Sequence, residues 1–504
     1  MSDDEADPEL LQLLRQSLGI PSNRSDEVSS QTGVLADAEH IYSDAIDVSI
    51  DMYGTKSAAS NIWKMMQERA YSTEAWSQVE LHPKAGEGFS ELDTINFIFT
   101  MDLLNFSFWS KLSDDQRFQV DYKGRRWTGY NSLLACLHRA LDEGIPITTP
   151  RYWRSSQASD EAFKHVFRSA TSEDIPLLSE RIAVLREAAD VLHKSFGGPE
   201  DVPEMVVEAV LTSCPDLSVN RTHPGQAHRV GGAHGKEATE RLEIASEQQH
   251  DAFFAADFDY ERLSHVSVKA DQTTTVVTMP VLDNDIPMQS IADPEEVVVH
   301  QSAVEAAALP INQDGAQSDR QSKNAESFSR DQSVLCLIDK ADRSAGKLVN
   351  LLARHFACFC DETQFHGRKV RFFKRAQIFG ADLWAAFNGA GYGEFQDIDT
   401  LTMFADYRVP QMLYTLGVLS YSPSLLYHIR DGKQIPPGHS WEVQLRGCSI
   451  WAVELIRCEI LRLQPQAAVN AVLIDFFLYD LTKERERTEG QLSIPHHRTR
   501  SIWY

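Results

Sequence analysis

The sequence has no apolar run approaching the length that crosses a bilayer. Its acidic N-terminus is not a basic region followed by an apolar stretch, so no signal peptide is read there. The expectation is a soluble, cytoplasmic protein that engages no membrane. Seven cysteines are scattered with no CxxC and no CxxC…H pattern, and Cys358 and Cys360 are too close for a routine bridge. Neither a disulfide framework nor a zinc site is expected. Positive charge is scarce: 48 Lys and Arg stand against 73 Asp and Glu, a net charge of −25. A surface built for nucleic-acid phosphates is therefore not expected, and no basic stripe runs along a predicted helix. A small phosphorylated ligand in a local basic pocket stays open. The chain also lacks a Gly-rich phosphate loop, HExxH, GxSxG and the kinase motif set, which weighs weakly against those enzyme classes.

What is present is helix after helix, with a hydrophobic fraction of 42%, enough for a sizeable core. Apolar residues at helical spacing predict helices over Glu39–Tyr53 and Asn61–Arg69, then from Ser90 through Ile95, Ile98, Phe99 and Leu103. Further helices are predicted at Asn131–Leu141, Pro176–Phe196, Leu348–Phe356, Lys374–Phe387 and Pro423–Ile429. Another follows Arg446-Gly447-Cys448, and the last runs from about Gln466 to Thr482. No period-two alternation is sustained, so the fold class is all-α. Residues 1–38 read as a disordered acidic tail. Residues 199–333 are rich in Gln, Ser, Asp, Glu, Ala and His and contain no Trp, and read as a long disordered insertion. The helical domain is then split into 39–198 and 334–504.

Within this frame the candidate chemistry is carboxylates beside apolar surface. Asp406 precedes a helix expected to begin near Pro410, where the helix dipole favours the ionised form, and Phe404 and Tyr407 flank it. Such an acid can stabilise a cation that forms during a reaction. It can equally be a plain helix cap. Asp480 falls on the apolar side of the last helix with Phe476 and Phe477, whereas Asp475 falls on a different side. Asp102 is a polar group in a very apolar run. Lys374 and Arg375 open a helix against its dipole, which reads either as an anionic partner or as a solvated basic turn. His82 lies on a loop before Pro83 and by default faces solvent. These carboxylates suit glycosidic cleavage, where an oxocarbenium forms next to an anion, and they suit an ion-paired core equally well.

Five blocks carry a resemblance: TMFADYRVPQML, FKRAQI…ADLW, DLLNFSFW, RRWTGYNSLLACLHRALDEGIPIT and RGCSIWAVELIR. Together, and in the same order along the chain as in the family, they resemble the queuosine salvage family of queuosine 5′-phosphate N-glycosylase/hydrolases over nearly all of 40–198 and 334–504. The resemblance implies a helical fold similar to helix-hairpin-helix DNA glycosylases, and hydrolysis of the N-glycosidic bond of queuosine 5′-phosphate to release queuine for tRNA modification. It implies no metal or organic cofactor, and the chain is expected to act as a monomer. Carried onto this chain, Asp406 is the nucleophile or transition-state stabiliser. Phe404 stacks on the ligand and His82 contacts it. Asp480 bonds the base or sugar, with Glu484 a weaker candidate and Lys374 the basic residue for phosphate or ribose. The family tends to have an aromatic residue after the Asp matched to Asp480, but here Leu481 stands there, so a side-chain hydrogen bond is lost. The alternatives are a nucleic-acid glycosylase and a non-catalytic queuosine-binding protein.

Overall fold

The computed structural model describes residues 28–84, 88–197, 331–490 and 492–504. Residues 1–27 of the expected tail and nearly all of the expected insertion at 199–333 lie outside them.

The first predicted helix is in fact two helices with a strand between. α1 (Val34–Asp44) ends before β1 (Val48–Ile50), and α2 (Met52–Glu68) begins after Asp51 caps Gly54 N–H. Val48 and Ile50 are buried and Ser49 is exposed, the alternation of a half-buried strand. The period is too short to read locally, because the partner strand β6 (Leu419–Tyr421) lies far along the chain. α3 (Glu74–Gln78) precedes α4 (Glu91–Leu103), which starts in the predicted place with a reciprocal Ser90–Asp93 capping box. β2 (Gln119–Tyr122) and β3 (Arg125–Thr128) form a hairpin whose Lys123 and Gly124 both have positive φ. α5 (Tyr130–Asp142), α6 (Pro150–Trp153), α7 (Asp160–Val166) and α8 (Leu178–Phe196) complete the first half.

The second half opens with α9 (Ser333–Asp339) and α10 (Ala345–His355), followed by the hairpin β4 (Glu362–Phe365) and β5 (Arg368–Arg371). α11 (Lys374–Ala386) and α12 (Arg408–Thr415) come next, then β6 and α13 (Pro423–Arg430). α14 (Ser440–Leu463) and α15 (Ala471–Glu489) finish it. The architecture is mostly helical. The strands among the described residues form three two-stranded antiparallel pairs.

Two features place the site. α4 is buried at every residue from Thr94 to Leu103, and α11 at every residue from Lys374 to Leu383, and these two helices pack on each other. They are central core helices, so polar groups on them must find partners. α14 packs on α1, α2 and α15. Gly447 makes the approach to α1 possible, since a Cβ there would stand 2.5 Å from Ile41 Cγ2. α12 lies against α15, and Lys374 at the start of α11, Asp406 before α12 and Asp475 near the start of α15 come within electrostatic reach of one another.

Candidate active site

Residues 401–407 enter α12 as an irregular segment held along its length. Thr402 N–H donates to Gln377 Oε1 at 2.9 Å and Phe404 N–H donates to Asp475 Oδ1 at 2.9 Å. The Ala405 carbonyl accepts from Arg446 Nε at 3.1 Å. Asp406 Oδ1 then accepts the N–H groups of Arg408 and Val409 at 2.8 and 2.9 Å. α12 thus starts two residues before Pro410, which sits in the first turn where its missing N–H costs nothing. Asp406 Oδ2 takes no hydrogen bond from a described residue. Burial pushes the carboxyl above its ordinary range, against the pull of Lys374 and the two N–H groups. The helix terminus acts in the expected direction, but desolvation outweighs it. Tyr407 flanks the acid on the side of the C-terminal segment, with its ring 4.5 Å from that of His496 and stacked on Tyr504.

The two cations that open α11 go separate ways. The Arg375 guanidinium donates to the carbonyls of Leu103 and Cys358 and lies between the rings of Phe106 and Phe359, so it is structural. Lys374 is 6% exposed, and its Nζ makes no hydrogen bond to a described residue. Burial lowers its ammonium to about 8, and Asp406 is the main group resisting that fall. Two carboxylates therefore face this helix start: Asp406, which acts on the ammonium, and Asp361, whose Oδ2 accepts Lys374 N–H at 3.2 Å.

Asp475 is the acid the sequence reading passed over. It is buried and holds Phe404 N–H. Burial first, and then the charge of Asp406, raise it well above the carboxylate range. Its neighbour Phe476 faces Phe404 with ring centroids 6.1 Å apart. Asp475 and Phe476 thus form an acid–aromatic pair about one and a half turns before Asp480 and Leu481. The signal was there: Val472, Asp475 and Leu478 recur every three residues, an apolar stripe with one acid in it. Asp480 is exposed, and its Oδ2 accepts at 2.6 Å the hydroxyl of Tyr71, whose ring packs edge-on against Phe477. It stands four residues after Phe476, on that side of the helix. Leu481 is 4% exposed in the core, and Glu484 pairs with Arg69 at 2.8 Å.

His82 is on a loop, as expected, but buried rather than solvent-facing. Nδ1 meets the Trp76 carbonyl at 2.8 Å and Nε2 meets the Tyr130 hydroxyl at 2.9 Å. A carbonyl only accepts, so Nδ1 carries the proton and Nε2 accepts from Tyr130. Burial lowers the ring to about 3, so it is neutral at pH 7. Asp102 and Asp382, from α4 and α11, approach each other deep in the core beside Tyr130. Burial pushes both up, and neither oxygen of Asp102 meets a donor at hydrogen-bond distance. Among the described residues no group of three or more His, Cys, Asp or Glu is placed to hold a metal ion.

The fold and this arrangement define a class: a mostly helical protein that buries two neighbouring carboxyl groups, Asp406 and Asp475, with one buried lysine acting on the first and aromatic rings beside them. Within that class the chain belongs to the queuosine salvage protein family, whose model matches residues 81–209 and 279–504. Among its relatives is the queuosine 5′-phosphate N-glycosylase/hydrolase of Nematostella vectensis, 30% identical over 92% of this chain and 96% of the relative. The protein of the same name from Schizosaccharomyces pombe is 30% identical over 94% and 99%. That from Bos taurus is 29% identical over 93% and 97%. No helix among the described residues is long and apolar enough to cross a membrane.

Proposed function

We propose that this chain hydrolyses the N-glycosidic bond of queuosine 5′-phosphate, releasing queuine and ribose 5-phosphate, as a monomer acting on the free nucleotide in the cytoplasm. The observation that carries this is the pairing of Asp406 with Asp475. Two carboxyl groups stand near one another with environments that separate their roles. Asp406 has Lys374 and two N–H donors, and so is the one that ionises first. Asp475 keeps its proton, because a second negative charge beside Asp406 is costly. As the C1′–N bond breaks, positive charge grows on the ribose and Asp406 Oδ2 stabilises or captures it. A 7-deazapurine has no N7 to protonate, so the departing base needs a hydrogen-bond donor at another edge, and protonated Asp475 supplies one. Phe404 and Phe476 cover the base, with Asp480 at the rim for its cationic arm. Lys374 binds the phosphate or ribose and holds Asp406 ionised. His82, with both nitrogens engaged, contacts the ligand through its ring.

Two further readings belong to the same proposal. The entry of Asp406 into α12 supports kinship with helix-hairpin-helix DNA glycosylases. The family match in two stretches supports one catalytic domain interrupted by an insertion. The test is direct. Purified protein is incubated with queuosine 5′-phosphate, and queuine is followed by mass spectrometry. Stoichiometric queuine and ribose 5-phosphate are expected, and intact nucleotide after prolonged incubation would reject the reading.

A further inference from the structure

Behind the Asp406 segment lies a second ionic cluster that the reaction above does not use. Asp361 precedes β4, and Arg446 lies on α14 next to Gly447. Arg446 Nη1 and Nη2 donate to the two oxygens of Asp361 at 3.0 and 2.5 Å, and Nη1 also reaches Glu442 at 3.4 Å. The paired side chains are 3% and 5% exposed, and the guanidinium lies 4.0 Å from the centroid of the Phe372 ring. A buried ion pair stabilises little compared with well-packed apolar residues, so its presence calls for another reason. The remaining donor provides one. Arg446 Nε holds the Ala405 carbonyl, the residue before Asp406, at 3.1 Å. Asp361 Oδ2 in turn accepts Lys374 N–H at 3.2 Å, and its backbone carbonyl accepts Phe372 and Phe373 N–H at 3.0 and 3.3 Å. One carboxylate thus holds the start of α11 and, through Arg446, the entry to α12.

We propose that Asp361 and Arg446 are positioning residues that set the spacing between Lys374 and Asp406. This rests on the function proposed above. Neither residue touches the reacting atoms. They act because one clamp holds the backbone on both sides, the Lys374 N–H and the Ala405 carbonyl that precedes Asp406. A cleft of about 160 Å³ lined by Asp361, Glu362, Glu442, Arg446 and Trp503 opens onto the pair, and Asp406, Lys374 and Asp475 do not line it. A small planar cation can therefore reach the clamp without entering the reaction site.

The experiment is removal and chemical rescue. Arg446→Ala is expected to lower kcat roughly a hundredfold, the scale of a 1 Å misplacement, with KM changed by only a few-fold. Millimolar guanidinium is expected to restore roughly tenfold of that loss, and to do nothing for wild type or Asp406→Asn. Hydrogen exchange at the Arg408 and Val409 amides, which bind Asp406, should quicken in the variant and slow again with guanidinium. The double variant Asp361→Asn/Arg446→Met removes both charges of the pair, leaves Glu442 with the Gly438 N–H at 3.0 Å, and guards against a simple folding failure. It should melt near wild type and still lose the same kcat. A folded variant with kcat within a few-fold of wild type, or a double variant with restored kcat, would reduce the cluster to a structural ion pair. Should wild type release no queuine, the function above fails, and unchanged amide exchange in Arg446→Ala would then reject the positioning as well.

Discussion

Two carboxylates act on the same lysine, Asp361 through a hydrogen bond from its N–H and Asp406 through its charge, yet their surroundings differ. Asp361, behind, is closed in: both oxygens are claimed by Arg446, and one by Lys374 N–H as well. Asp406, in front, has one oxygen held by two N–H groups and the other without a donor from a described residue. Both are expensive to bury, but only the first is fully repaid inside the protein. A structural ion is saturated, while a reacting one is held from one side and left incomplete on the other. The same contrast separates Arg375, whose guanidinium is spent on carbonyls, from Lys374, whose ammonium is not.

The largest effect expected from breaking this contrast is at Asp406. Asp406→Asn keeps the shape and an oxygen for Arg408 and Val409 N–H, but removes the charge. Turnover should fall roughly a hundredfold or more, the loss seen when one electrostatic stabiliser is deleted. KM and Tm should stay close to wild type, since burial already disfavours the charge. Turnover within a few-fold of wild type would make Asp406 a cap and move the burden to Asp475. Asp361→Asn should give the opposite signature in stability. Removing the bidentate partner leaves the buried Arg446 charge with Glu442 alone, at 3.4 Å, at a cost of up to about 3–5 kcal/mol. Denaturant unfolding of the two variants side by side decides it: equal losses would erase the distinction between front and back.

Much of this was legible in the sequence. The helical class, the Ser90 start of α4 and the carboxylate entry to α12 follow from local spacing and capping chemistry, which need no distant partner. β1 was not legible, because its reason is β6, some 370 residues further on. On α15 helical spacing favours Asp480, four and three residues after Phe476 and Phe477. The helix buries more than one stripe, and only the Asp475 side meets the Phe404 backbone. Burial also altered the chemistry of residues correctly singled out. His82 is neutral and doubly bonded, and Asp406 is shifted up, because desolvation depends on the whole fold and not on neighbours in sequence.

A smaller effect is expected from Lys374→Met, read through pH. Lys374 is charged below about 8, and its ammonium is among the groups that hold the Asp406 pKa down. In wild type, activity should rise as Asp406 loses its proton, above the usual carboxylate range, and fall near pH 8 as Lys374 loses its own. In the variant the alkaline fall should vanish and the acid limb should move to higher pH, because the ionised carboxylate has lost its counter-charge. Stability should move the other way. The folded pKa of Lys374 lies below its unfolded value near 10.5, so its charge costs folding free energy at neutral pH, and that cost is relieved as pH rises from about 8 to 10.5. The variant should therefore melt no lower than wild type at pH 7. An unchanged acid limb would mean that Lys374 serves only the phosphate.

The smallest effect tests the rim, where neither extreme applies. Asp480 is exposed, and its bond from the Tyr71 hydroxyl is one that an asparagine oxygen can also accept. Asp480→Asn should therefore leave Tm within a degree or two, the usual scale for an exposed site without a special role. Burial and Glu484 raise the Asp480 carboxyl, whereas Tyr71, Arg487 and Arg69 lower it, so its charge is partly committed within the protein. A cationic arm on the base would compete for that charge at the surface, where one ion pair contributes about 0.2–1 kcal/mol. That converts to a rise in KM for queuosine 5′-phosphate of roughly two- to fivefold, with kcat unchanged. Steady-state kinetics with the nucleotide give both numbers. If KM stays at the wild-type value while Tm falls by several degrees, Asp480 belongs with Asp361 among the structural acids, and the cationic arm is met elsewhere.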